Sequence, residues 1–156
     1  MDNGIKKTVA LLNLLGYTTL ASCEGHLDPT HGSLFPWIHV EFGNTRRATK
    51  ELKLRKLLRS FWQYRYRTHA DKRLPDGRSL YMEGLGKGKK KVIRITARFD
   101  WELFAQCKDK GKMPLPVRRW FHEEGKKAMH EFTNYLWKVY VGEEKIMRKP
   151  PKGSSW

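Results

Sequence analysis

Apolar residues recur at helical spacing in the first segment of the chain. Ile5, Val9, Leu12 and Leu15 fall on one face of a helix over 4–15, and Gly16 ends the run. Tyr17 to Ser22, rich in Thr and Tyr, predicts a short strand. Residues 25–34 read as a loop, with Asp28, Pro29 and Gly32 as turn residues. A second strand opens at Pro36. In it Ile38, Val40 and Phe42 alternate with Trp37, His39 and Glu41, so one face belongs to a core. The other face carries an aromatic ring, an imidazole and a carboxylate.

Gly43, Asn44 and Thr45 form a turn and supply an N-cap for a helix running to about Arg67. Leu54, Leu57, Leu58 and Phe61 make its apolar face. After a polar stretch with a Pro75-Asp76-Gly77 turn, 80–85 and 92–99 predict a hairpin. Its second strand separates Ile93, Ile95, Ala97 and Phe99 from Arg94, Thr96 and Arg98. Asp100 can cap a short helix through Cys107, and residues 113–116 read as extended. A long helix follows over about 117–141. Its expected buried stripe is Phe121, Gly125, Met129, Phe132, Leu136 and Tyr140, and Gly142 stops it.

The order α-β-β-α-β-β-α-α predicts an α+β fold: a single compact domain over 1–142, with helices covering a mostly antiparallel sheet. Residues 143–156 read as a flexible basic tail. The order also allows an internal duplication of a helix-plus-hairpin unit, although the two halves share no alignable sequence.

Charge changes this picture. The 156 residues carry a formal net charge of +16, with a pI near 10.0. Residues 1–43 hold only Lys6 and Lys7 against Asp2, Glu24, Asp28 and Glu41, so the excess lies further on. Residues 44–73 carry 11 basic and 2 acidic side chains. Nucleic acid is the leading partner for such a chain, and an anionic membrane surface is second. Six Trp, seven Phe and six Tyr supply large core anchors and argue against disorder throughout. The longest apolar run, broken by Asn13, is too short to span a bilayer. Cys23 and Cys107 alone do not make a disulfide framework, and no signal peptide is evident, so a cytoplasmic location is expected.

Candidate chemistry concentrates in Ser22-Cys23-Glu24-Gly25-His26 and the nearby His31 and His39. Cys23 can act as a nucleophile with His26 or His39 as its base. Glu24 with an imidazole can form a general acid–base pair suited to phosphodiester cleavage. The same residues can be an ordinary small core side chain and solvent-facing loop residues. Cys23, His26 and His31 also stand at C-x2-H-x4-H, a zinc-type donor set that His39 could complete.

A nucleic-acid surface is expected from Arg46, Arg47, Lys50, Lys53, Arg55, Lys56, Arg59, Trp62, Arg65, Tyr66 and Arg67. Cations there neutralise phosphates, and exposed rings stack on bases. The hairpin tip adds Lys87, Lys89, Lys90 and Lys91, and its second strand adds Arg94 and Arg98. The glycines at the tip do not have phosphate-loop spacing. His122, Glu123, Glu124, His130 and Glu131 read as solvated helix residues.

The segment from Leu11 to His26, followed by Trp37, Ile38, His39 and Val40, resembles the N-terminal part of the wybutosine-synthesising tRNA methyltransferase family. That family has an apolar helix, a Tyr-x-Thr-Thr strand, a Ser-Ser-Cys-Ser-Gly-Arg loop and a strand starting with Trp. Ser22, Cys23 and Gly25 match the loop, and Thr18 or Thr19 and Trp37 match its flanks. Glu24 stands where the family has a small Ser, and His26 where it has Arg. The segment is also similar to short bacterial and phage proteins with a Ser-Cys-Glu-Gly-His loop. The resemblance covers about the first quarter of the chain. It implies a compact α/β fold and an RNA-linked role, without extending to the methyl-transfer chemistry.

The expected function is nucleic-acid binding, RNA ahead of DNA, with a Cys23, Glu24, His26 and His39 pocket. The alternatives are a nucleic-acid-modifying enzyme or metal-dependent nuclease, and a basic protein-interaction module such as a phage-encoded inhibitor.

Overall fold

The computed structural model describes residues 3–27, 34–43, 45–68, 80–86, 92–97 and 113–147. Helix α1 (Asn3–Leu14) precedes strands β1 (Thr18–Cys23) and β2 (Trp37–Glu41). Helix α2 (Arg47–Thr68), strands β3 (Leu80–Leu85) and β4 (Val92–Ala97), and helix α3 (Leu115–Tyr140) complete the order. The expected α+β class and antiparallel sheet are both present.

The sheet order is β1-β2-β4-β3, and every neighbouring pair is antiparallel. β2 and β3 are therefore parallel, with β4 between them and α2 on the connection. Strand alternation places Ile38, Val40, Ile93 and Ile95 on one side, and all are buried. Helices form on that side because their apolar stripes have nowhere else to go. One cluster joins Ile5, Val9 and Leu12 of α1 and Leu54, Leu57 and Phe61 of α2 to Phe132 and Leu136 of α3. Phe61 meets Phe132 edge-on at 5.1 Å between centroids. Burying each such side chain contributes roughly 1.5–3 kcal/mol. At the α1–α3 joint the two buried hydroxyls of Thr8 and Thr133 hydrogen-bond at 2.6 Å, so neither is left unsatisfied.

A smaller cluster of Leu34, Phe35, Met113 and Phe121 tethers the end of the β1–β2 connection to the start of α3. That helix starts two residues earlier than expected, with Pro116 inside its first turn. Proline is accommodated there because a first-turn N–H has no intrahelical acceptor to lose. The stripe differs at its end: Tyr140 is 47% exposed, while Tyr135 is fully buried. The 3.6-residue period carries the apolar face past Tyr140 before the helix stops.

Residues 143–147 are not a free tail. The Met147 N–H donates to the Ser60 hydroxyl at 2.8 Å, Ile146 packs on the core, and Glu144 pairs with Arg67. The expected 100–107 helix, the tip lysines and residues 148–156 lie outside the described residues. Among the described residues no helix is long and apolar enough to cross a membrane.

Candidate functional site

The polar face of β2 becomes a cluster through its neighbours. His39 lies opposite Ala21 of β1 and Arg94 of β4, and Arg94 lies opposite Glu83 of β3. Directly opposed residues share a face, so these side chains line one row across the sheet. The Arg94 Nε–H donates to His39 Nε2 at 3.0 Å, and an Arg94 Nη1 sits 3.5 Å from Glu83 Oε1. The His39 ring lies 4.3 Å from that of Trp37, tilted by 30°. The Arg94 guanidinium is 5.1 Å from the centre of the same indole. Two groups hydrogen-bonded at 3.0 Å cannot lie on opposite faces of one ring. His39 and Arg94 therefore form a layer over a single face of Trp37.

Acceptance of the Arg94 hydrogen bond by Nε2 leaves the His39 proton on Nδ1. Burial lowers the His39 pKa below its usual value, and the Arg94 charge adds to this while Glu83 opposes it. The imidazole is thus kept neutral and stacks as an uncharged ring.

The Ser22–His26 loop is shaped by packing. Cys23 is buried, and its Sγ accepts a hydrogen bond from the Gly25 N–H at 3.4 Å. Gly25 has φ +90, and a Cβ there would lie 2.7 Å from the Leu34 carbonyl oxygen. Only glycine allows this loop to press against 34–36. Glu24 then turns towards α3. It lines a cavity of about 310 Å³ with Ile5, Pro36, Glu123, Lys126, Lys127, Met129 and His130.

Cys23 lies opposite Trp37 and so shares the sheet face of His39, while the members of the expected quartet have different partners. His39 belongs to the Trp37–Arg94 layer, Glu24 shares a cavity with His130 of α3, and Cys23 is hydrogen-bonded within its own loop. His26 is half-buried beside that loop. Among the described residues no three His, Cys, Asp or Glu side chains gather to hold a metal, so Cys23 and His26 receive no third described ligand. His31 lies outside the described residues.

On α2 the cations have separate fates. Arg65 is buried and paired with Glu131 of α3, and Arg67 bonds Glu144 at 3.2 Å. The Trp62 Nε1–H donates to the Leu80 carbonyl at 3.1 Å, and Arg59 lies 4.8 Å over its ring. Arg47, Lys56 and Arg59 are half-buried, while Arg46, Lys50, Lys53 and Arg55 are exposed. Lys50 Nζ donates to the Phe42 carbonyl at 3.0 Å, and Lys53 Nζ sits 5.2 Å over Tyr17. These two lysines line a cleft of about 410 Å³ with Gly16, Tyr17, Thr18, Glu41, Phe42 and Gly43. The Tyr66 side chain, Lys87, Lys89, Lys90, Lys91 and Arg98 lie outside the described residues.

Sequence reasoning passed over Trp37, Glu83, His130 and Glu131 as members of these sites. The Trp37–His39 alternation was a signal for the first; the others needed tertiary partners. Comparison with family models, curated proteins and solved structures finds no match for this chain.

Proposed function

We propose that the protein binds nucleic acid, with the exposed cations at the start and along the flanks of α2 as its electrostatic contact. One observation carries this reading: Arg46, just before α2, and Lys50, Lys53 and Arg55 within it are exposed, and the stretch 45–68 holds nine Lys or Arg and one Glu. Such a surface attracts phosphates and releases their counterions on binding. The resemblance of the first quarter to a tRNA-modifying family is the support for putting RNA ahead of DNA. A labelled RNA strand titrated at several salt concentrations tests it. Affinity is expected to fall steeply and linearly in log–log form as salt rises. A flat salt response, or no binding at low salt, refutes it.

A second reading, an enzyme acting on nucleic acid, is favoured by the shared cavity of Glu24 and His130. A carboxylate and an imidazole lining one concave, partly apolar site can divide general-base and general-acid roles. Glu24→Gln keeps the shape and removes the base. In whichever RNA-processing assay first gives turnover, this reading expects a rate loss on the order of 100-fold or more. An unchanged rate leaves the cavity as a binding or structural feature.

A further inference from the structure

The Lys50–Lys53 cleft and the Trp37–His39–Arg94 layer meet along β2. Glu41 lines the cleft, and His39 lies two residues back on the same sheet face. At a strand rise of about 3.4 Å per residue, the two places are about 7 Å apart along the strand. They differ in charge. The cleft sets two ammonium groups beside the single carboxylate of Glu41, an excess of positive charge, whereas the adjoining sheet face carries Arg94 against Glu83 and shares Glu41 at its edge.

Phosphate is therefore favoured at the lysines and disfavoured over the sheet. A nucleobase has the opposite preference. Its π face gains from an aromatic or guanidinium plane, and its amino groups gain from a carboxylate. Trp37, His39 and Arg94 are all half-buried, so the layer retains accessible surface. It is also built before any ligand arrives, because the His39 and Glu83 contacts hold Arg94 in place. Such preorganisation lowers the ordering cost of binding.

We propose that this face takes an unpaired base of single-stranded nucleic acid against the Trp37–His39–Arg94 layer, with a neighbouring phosphate at Lys50 and Lys53. The inference rests on the nucleic-acid reading above and adds the class of strand. A duplex keeps its bases stacked on one another and offers this layer no free base face.

The test uses the unmodified protein and three fluorescein-labelled probes at one low salt concentration. These are an RNA strand of about 12 nucleotides, within the usual site size for single-strand binders, the same strand with abasic residues at its centre, and a duplex of equal length. The intact strand is expected to bind roughly ten-fold or more tightly than the abasic strand. Trp37→Ala should abolish that difference without changing duplex affinity, and Trp37→Phe should retain most of it. Lys50→Ala with Lys53→Ala should weaken intact and abasic strands by the same factor. Equal affinity for intact and abasic strands overturns the base site while leaving polyanion binding by α2 standing. Failure of all three probes to bind removes the nucleic-acid reading and this inference together.

Discussion

The two sides of the sheet hold their charged and aromatic groups in different ways. On the helix-covered side, Arg65 is drawn into the α2–α3 joint by Glu131, and Trp62 spends its indole N–H on the Leu80 carbonyl. On the other side, Arg94 also has a carboxylate partner, yet it lies half-exposed across an aromatic face beside a neutral imidazole. Both sides look alike in composition, as arginines interleaved with rings. The difference is what the surrounding apolar surface does. Where helices converge, a cation must be paired because an isolated buried charge is costly. Where no described helix packs, the same residue types stay accessible.

The largest expected effect tests whether one side is core and the other surface. Phe61 is fully buried and touches Phe132 and Tyr135, so Phe61→Ala should cost about 3–5 kcal/mol in urea unfolding. Trp37→Ala should cost less than half as much, since the ring is half-buried and leaves no enclosed cavity. Equal losses would mean that the Trp37 face is packed like the helix-covered one.

Next in size is the contrast between two arginines of one helix. Arg65→Ala removes a cationic partner of Glu131 in a joint where the Glu131 side chain is 31% exposed. Breaking such a pair should cost about 1–3 kcal/mol, less than for a fully buried pair because water reaches the carboxylate. Arg55→Ala, on the exposed side, should stay within about 0.5 kcal/mol while lowering RNA affinity and the salt slope. Calorimetry and salt titrations of both variants separate the roles. Loss of RNA affinity without loss of stability in Arg65→Ala would reverse the assignment.

The smallest effects lie in pH, and the two sides respond at opposite ends. His39 is held below its ordinary pKa of 6.5 by burial and then by Arg94. As pH falls past that value, the unfolded chain binds a proton that the folded state resists, so stability present at neutral pH declines. His39→Gln should flatten that acid slope. On the covered side, burial raises Tyr17 well above the usual tyrosine range and pushes Tyr135 up to about 12. Unfolding releases those protons more readily, so stability is full below about pH 10 and declines as pH rises further. Urea midpoints across pH 5–11 for the wild type, His39→Gln and Tyr17→Phe check both limbs. An acid slope unchanged by His39→Gln would assign it to other groups.

Much of this architecture was legible because its signals are local. The alternation from Trp37 to Phe42 located β2 and its two faces, and Leu54, Leu57, Leu58 and Phe61 marked the buried stripe of α2. Gly16 and Gly142, both at positive φ, ended their helices as expected. The candidate site was less legible. Glu24 was grouped with His26 and His39 because they are close in sequence; that it also lines a cavity with His130 of α3 was not visible there. Gly25 looked like part of a reactive motif, yet its own requirement is steric, set by the approach of 34–36.

Among the described residues, the sequence by itself determined which segments are helix or strand and most of the apolar face of each, and it set the strongly cationic charge. Those properties follow from backbone periodicity and formal charge, which need no distant partner. Only the tertiary structure decided that β4 inserts between β2 and β3, and so that Arg94 meets His39 over Trp37. It likewise decided which arginine of α2 is consumed by Glu131 and which is left outside. Strand order and helix contacts depend on how all the apolar faces are buried at once. Residues far apart in the chain acquire their chemistry only when that shared burial brings them together.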